Sequence, residues 1–301
     1  MADGIINVYK EKGFTSHDVV AKMRGILKQK KIGHTGTLDP MAEGVLPVCL
    51  GKATKLCDLL TDKTKTYEAV LLLGMETDTQ DTTGTVLNEY SVEVTEEDVR
   101  TAVMSFLGHY DQIPPMYSAL KVDGKKLYEL ARAGKEVERK ARPVEIYDIQ
   151  IQKIELPRVT ITVSCSKGTY IRTLCYDIGR KLGCGGCMES LLRTRVSDFY
   201  LADSLTLSQI EKLRDEGSLE AHILAVDKVF SSYSQLVMKE EFDKLVHNGN
   251  PFFPNQATGK YSMDDGPVRV YDSSMQFIGI YEPNGEKTLL KPQKVFLGGS
   301  R

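Results

Sequence analysis

One carboxylate stands out by its surroundings. Asp39 lies in KIGHTGTLDPMAEG, residues 31–44, a stretch with three glycines and neither helical nor strand periodicity. Pro40 disfavours the α region at Asp39 and keeps it extended. Gly33, Gly36 and Gly44 allow tight turns and close approach by another molecule. A carboxylate so held can act as a nucleophile or as a base. For a lone Asp-Pro the simpler reading is a turn.

Other chemistries find little support. In GKAT, residues 51–54, Leu46 stands where a phosphate-binding loop needs its first glycine, and Ala53 where it needs Ser or Thr. Glycoside hydrolysis asks for a second carboxylate facing Asp39, which sequence cannot place. The five histidines are scattered and no metal-ligand cluster is visible. Cys184 and Cys187 form one C-x-x-C pair without a second, so reduced, partly buried thiols are expected rather than zinc.

The elements that must position Asp39 read as follows. Gly4–Tyr9 is a predicted strand, and Ser16 a predicted N-cap for a helix through SHDVVAKMRGILKQ. GVLPVCLG and TYEAVLLLG are predicted strands, with a helix in KATKLCDLLTDK between them. Thr95-Glu-Glu-Asp caps a helix with acids in its first turn, where the macrodipole favours them. VEIYDIQIQKIEL and RVTITVSCS alternate as an antiparallel pair, and KGTYIRTLCYDIGRKLG turns into a helix ending at Gly183. After about residue 230 come a short helix and short strands with turns at Asp272-Ser-Ser and Pro283-Asn-Gly, read as a small β-rich barrel over 235–301.

With 301 residues, 41% hydrophobic and 27% charged, the chain has globular composition. The N-terminus shows no secretory pattern and no apolar run is long enough to span a bilayer, so a cytoplasmic protein without membrane contact is expected. Net charge is −2, but its distribution is uneven. Residues 119–142 hold eight Lys/Arg against four Asp/Glu, and 165–195 hold six against two. Residues 76–98 hold eight acids and no base. A basic face with an acidic back and ordinary solvated helix faces fit this pattern equally well.

GHTGTLDPMAEGVLPVCLGKATK resembles the signature of the TruB family of tRNA pseudouridine synthases. GIINVYKEKGFTS resembles the family's opening strand and loop, KTYEAVLLLG its tyrosine motif, and QIPPMYSALKVDGKKLYELARAG its RNA-clasping insertion. KGTYIRTL and ESLLRTR complete five motifs in order, and the tail is similar to a PUA-type barrel. The resemblance implies isomerisation of uridine to pseudouridine at position 55 in the T-loop of tRNA. It implies Asp39 as the catalytic carboxylate, Arg172 as its partner, and Tyr67 as the residue stacking on the base and handling a proton at C5. A carboxylate in a water-poor pocket needs such a cation beside it. By the same resemblance, Tyr170 and Leu191 line the uracil pocket, His34 enters the T-loop to hold the nucleotide out, and Lys10 supports the pocket or contacts phosphate. A flipped base suits aromatic and apolar walls. Lys121, Lys125, Lys126 and Arg132 are expected on the RNA backbone. Pro114-Pro115 and the glycines of the insertion predict mobility before RNA binds. Cys187 departs from the histidine common at its position in the family.

The expected fold is therefore mixed α/β (α+β). A catalytic domain over 1–230 carries a largely antiparallel, bifurcated sheet of pseudouridine-synthase type and a basic insertion at about 108–143. A small PUA-like barrel over 235–301 follows. No metal or organic cofactor is expected, since substrate and product are isomers. The expected partner is tRNA through its T-arm, with the protein a monomer and no obligate protein partner. Two other functions share these motifs: an RNA-binding or tRNA-folding protein with secondary catalysis, and the catalytic subunit of an RNA-guided pseudouridylation particle. The long insertion favours the stand-alone enzyme.

Overall fold

The computed structural model describes residues 2–61, 63–122 and 124–297. Alternating burial drives the central sheet: in Lys65–Leu73, residues 65, 67, 69, 71 and 73 are buried while their neighbours are not. Its strands lie in the order Gly4–Lys10, Glu43–Leu50, Gly186–Val196, Lys65–Leu73, Arg158–Cys165, Arg142–Glu155 and Gly108–Gln112. Ile32–His34 adds to Glu43–Leu50, and Phe199–Tyr200 to Gly186–Val196. All pairings in this sheet are antiparallel except one. That one is a two-residue parallel contact, Leu192 with Glu43 and Arg193 with Gly44. The sheet is mixed and divides there, directly after the Asp39 loop. Gly44 is required at the division: its φ is +104°, and a Cβ would lie 2.3 Å from the Arg193 carbonyl oxygen.

Helices Ser16–Leu27 and Leu207–Asp215 cover one core, and Glu96–Met104 and Ile171–Leu182 another. Thr15, not Ser16, caps the first helix, in a capping box with Asp18. Ser16 turns inward instead, and its hydroxyl accepts from Leu38 N at 2.9 Å, holding the residue before Asp39. Gly183, with φ +74°, closes Ile171–Leu182 as the sequence predicts. KATKLCDLLTDK is a 3-10 turn, Gly51–Leu56, followed by a short helix, Cys57–Thr61.

The excursion is tighter than its expected 108–143. Gly108–Gln112 is an edge strand of the central sheet and Arg142 pairs with Gln112, so the chain leaves the sheet only over 113–141. It carries a small hairpin, Lys121–Val122 with Lys125–Lys126, and the helix Leu127–Arg132.

The C-terminal strands Gln235–Met238, Ala257–Thr258, Val268–Tyr271, Phe277–Pro283 and Leu290–Val295 form one five-stranded sheet. It is open among the described residues, where a barrel was expected. Its first edge strand has two residues, and the bridge Phe252–Leu290 to the opposite edge is made by the chain ahead of that strand. Residues 298–301 of the expected tail lie outside the described residues. This sheet shares a core with the main unit, in which Ile280 and Phe296 pack with Ile5, Cys49 and Leu56. Among the described residues no helix is long and apolar enough to cross a membrane.

Candidate active site

A cavity of about 770 Å³ opens where the central sheet divides. Asp39 lies on its wall, 39% exposed, facing Arg172, which is 5% exposed. Arg172 Nε lies 2.9 Å from Asp39 Oδ2 and Nη2 3.4 Å from Oδ1, a side-on fork. Its other donors are also used. Nη1 donates to the Thr79 carbonyl at 2.8 Å and lies 3.7 Å from Asp81 Oδ2, and Nη2 donates to the Tyr117 carbonyl at 2.9 Å. A guanidinium so held cannot swing away from Asp39 without breaking several contacts.

Strand register brings the other walls. Tyr67 faces Arg193 and Ala69 faces Leu191 across the antiparallel pair Lys65–Leu73 and Gly186–Val196. Tyr67 and Leu191 are buried and line the cavity. Burial pushes the Tyr67 phenol up, while the Arg193 guanidinium beside it pulls it down.

Tyr170 reaches the cavity as the N-cap residue of Ile171–Leu182 and has no side-chain cap of its own. Gln112, 1% exposed, holds the backbone of Tyr170 in place. Its Oε1 accepts from Tyr170 N at 2.8 Å and its Nε2 donates to Tyr170 O at 3.0 Å. Two residues earlier on the same strand, Tyr110 hydrogen-bonds Asp177 of that helix, so one edge strand grips the Arg172 helix twice. The 113–141 excursion lies against the cavity, where Tyr117, Tyr128 and Arg132 contribute to its wall. Lys126 and Arg132 flank the Tyr128 ring at 5.3 and 5.4 Å.

Of the expected site residues, Asp39, Arg172, Tyr67, Tyr170, Leu191 and Arg132 meet at this cavity. His34 does not line it. The His34 Nδ1 accepts from Gly36 N at 3.3 Å, and burial lowers its pKa, so the ring is neutral at pH 7. Lys10 corrects the expectation of a substrate-binding lysine. It is fully buried, and its Nζ donates to the carbonyls of Glu11, Phe14 and Pro40 at 3.1, 2.6 and 3.1 Å. A lysine has three N–H groups, so none remains for a phosphate. Lys10 braces the Asp39 loop instead. Lys121 and Lys125 are exposed on the hairpin outside the cavity wall. Cys184 and Cys187 are buried, burial raises both thiols, and Cys187 is pushed up to about 11. Among the described residues no group of three or more His, Cys, Asp or Glu side chains is placed to hold a metal.

Sequence reasoning missed Asp81, Arg193, Gln112 and Tyr128. Asp81 belongs to the acid-rich stretch read as a candidate back face, yet its carboxylate enters the site. It holds a tight turn together, with Oδ1 accepting from Thr79 Oγ1, Thr83 N and Thr83 Oγ1. The density of Asp and Thr in TDTQDTTG, residues 77–84, was a usable signal for such a turn.

Residues 24–171 match the description TruB family pseudouridylate synthase (N terminal domain), and residues 172–231 match tRNA pseudouridylate synthase B C-terminal domain. The chain is similar to the tRNA pseudouridine synthase B of Lachnoclostridium phytofermentans, with 56% identity over 98% of this chain and 100% of the relative. For the protein of the same description in Clostridium kluyveri the figures are 46%, 92% and 94%. Two solved structures share the fold. One is an H/ACA ribonucleoprotein bound to a substrate RNA containing 2′-deoxyuridine, with TM-score 0.72 and 25% identity over 99% of this chain and 86% of that one. The other is a Cbf5–Nop10–Gar1 complex, with TM-score 0.73 and 27% identity over 98% and 85%.

Proposed function

The chain belongs to the TruB family of pseudouridylate synthases, and from that membership we propose that it isomerises uridine to pseudouridine in tRNA, at position 55 of the T-loop. The observation that carries the assignment of residues is the Asp39–Arg172 pair on the wall of a cavity that Tyr67, Tyr170 and Leu191 also line. The reaction breaks the C1′–N1 bond, turns the uracil and forms a C1′–C5 bond. Asp39 assists by attacking covalently or by taking the C2′ proton, and both routes need a fixed carboxylate open to the cavity. Arg172 holds that carboxylate in place. Tyr67 stacks on the flipped base and takes the C5 proton, while Tyr170 and Leu191 enclose the ring. Nothing is added or lost between substrate and product, so the chemistry balances without a cofactor.

His34, outside the cavity wall, fills the space that the flipped nucleotide leaves. Lys121, Lys125, Lys126 and Arg132 contact the RNA backbone, and the C-terminal sheet serves as a PUA-like RNA-binding unit. The protein works in the cytoplasm as a monomer without an obligate protein partner.

The test is Asp39→Asn assayed on T-arm RNA and on full-length tRNA, with pseudouridine mapped by position. Formation at position 55 should fall to background while RNA affinity stays within about tenfold, or ~1.4 kcal/mol. Continued turnover removes Asp39 from catalysis. Product at another position overturns the T-loop assignment.

A further inference from the structure

Arg193 is the bulkiest side chain the fold buries completely, at 1% exposure. Its Nε donates to the Val45 carbonyl at 2.7 Å, and Nη1 and Nη2 reach the carbonyls of Thr37 and Gly36 at 3.4 and 3.3 Å. No carboxylate among the described residues lies within ion-pair distance of it. A buried guanidinium keeps its charge, and burying a charge without a counter-ion is costly. Three carbonyls could be satisfied by neutral donors, so the charge itself calls for a use.

Its position suggests one. Arg193 is the direct cross-strand neighbour of Tyr67 and lines the cavity beside it, where its guanidinium draws the phenol's pKa down. The other groups acting on that hydroxyl are the Cys165 thiol of the adjacent strand and the Asp39 carboxylate. Both oppose negative charge on the phenol oxygen, as does burial, and Arg193 is the one group that favours it. Asp39 has Arg172 as its partner, which leaves the Arg193 charge to Tyr67.

We propose that Arg193 is the positioning residue for Tyr67 in the proton step at C5, fixing the hydroxyl at the cavity wall and supplying the counter-charge when its oxygen is a phenolate. This rests on the pseudouridine synthase reading above. In the step, the phenol first gives its proton to water. The C5–H bond then breaks, its proton goes to the phenolate, and its electron pair restores the C5–C6 double bond. N1, holding the electron pair of the broken glycosidic bond, takes a proton from water. Nothing is oxidised or reduced.

The experiment compares single-turnover rates of wild type, Arg193→Lys and Arg193→Gln on tRNA whose target uridine carries hydrogen or deuterium at C5. For Arg193→Gln a loss of about 100-fold is expected, with a C5 isotope effect larger than that of wild type and tRNA affinity unchanged. For Arg193→Lys, which keeps the charge but not the fork, a loss of about tenfold is expected with a smaller rise in the isotope effect. A rate loss with the wild-type isotope effect in either variant overturns the proposal, because a merely structural role slows all steps alike. Arg193→Lys alone decides the matter if Arg193→Gln does not fold. A wild-type protein that forms no pseudouridine overturns the function itself, a result distinct from altered isotope effects.

Discussion

Asp39 and Arg172 stand 133 residues apart in sequence and meet side-on, through Nε at 2.9 Å and Nη2 at 3.4 Å. The same guanidinium donates to the carbonyls of Thr79 and Tyr117, so three separate chain segments are fixed to one side chain. Arg172→Lys keeps the charge but loses the planar fork. An ammonium placed for Asp39 cannot also serve both carbonyls, and leaving part-buried carbonyls unpaired costs about 1–3 kcal/mol. The turnover rate on saturating tRNA should fall about 100-fold, roughly 2.7 kcal/mol of barrier. Tyr117 belongs to the excursion, so the urea midpoint and its protease resistance should fall as well. Wild-type turnover by this variant would show that charge alone suffices at Arg172.

Gln112 gives the second prediction. Its amide pairs with both backbone groups of Tyr170, at 2.8 and 3.0 Å, at the start of the helix that carries Arg172. Gln112→Leu leaves Tyr170 N without its partner inside the protein, at about 1–3 kcal/mol for an unsatisfied group, and takes one of two donors from Tyr170 O, which keeps Leu174 N at 3.1 Å. Gln112→Glu still accepts from Tyr170 N but turns the other contact into oxygen against oxygen. Both variants should unfold at lower urea. Both should also lose turnover out of proportion to tRNA affinity, because Tyr170 and Arg172 shift together. Unchanged turnover in a destabilised Gln112→Leu protein would make the clamp structural only.

Local chemistry was legible wherever one residue settles it. The helix capped by Thr95, the glycine stop at Gly183 and the alternation of Arg158–Cys165 all read directly from the sequence. The meeting of Asp39, Tyr67 and Arg172 came from motif resemblance, because no periodicity places residues so far apart. Arg193 and Gln112 escaped for a physical reason. Each is polar and almost wholly buried, and its partners are mainly backbone groups brought together by the tertiary fold. Ser16 shows the same limit on a small scale. Its type suits an N-cap, but Thr15 beside it takes that place, and only the folded loop shows that Ser16 serves Leu38. The expected barrel rested on a string of short strands, and strand count does not reveal whether the edges are long enough to pair.

Lys10 supplies a pH prediction with a definite sign. Burial pulls its pKa from 10.5 down to about 8, against the pull of Glu43 and Asp39, and its three N–H groups hold the carbonyls of Glu11, Phe14 and Pro40. Between those two pKa values the unfolded chain binds more protons at this lysine than the folded one, so its contribution to stability rises with pH across the window. Lys10→Met has no such titration. It should be less stable than wild type at pH 7, because the carbonyls of Glu11 and Phe14 lose the lysine donor and that of Pro40 keeps Gly13 N alone. The gap in urea midpoint between the two proteins should widen from pH 7 to pH 10, background titrations cancelling in the difference. Activity should follow a different course, since neutral Lys10 has two N–H groups for three carbonyls. Turnover of wild type should therefore decline above about pH 8 while its stability relative to Lys10→Met still grows. A gap that narrows over that range would mean that Lys10 is stabilised as an ammonium in the fold, and that its carbonyl cage outweighs its burial.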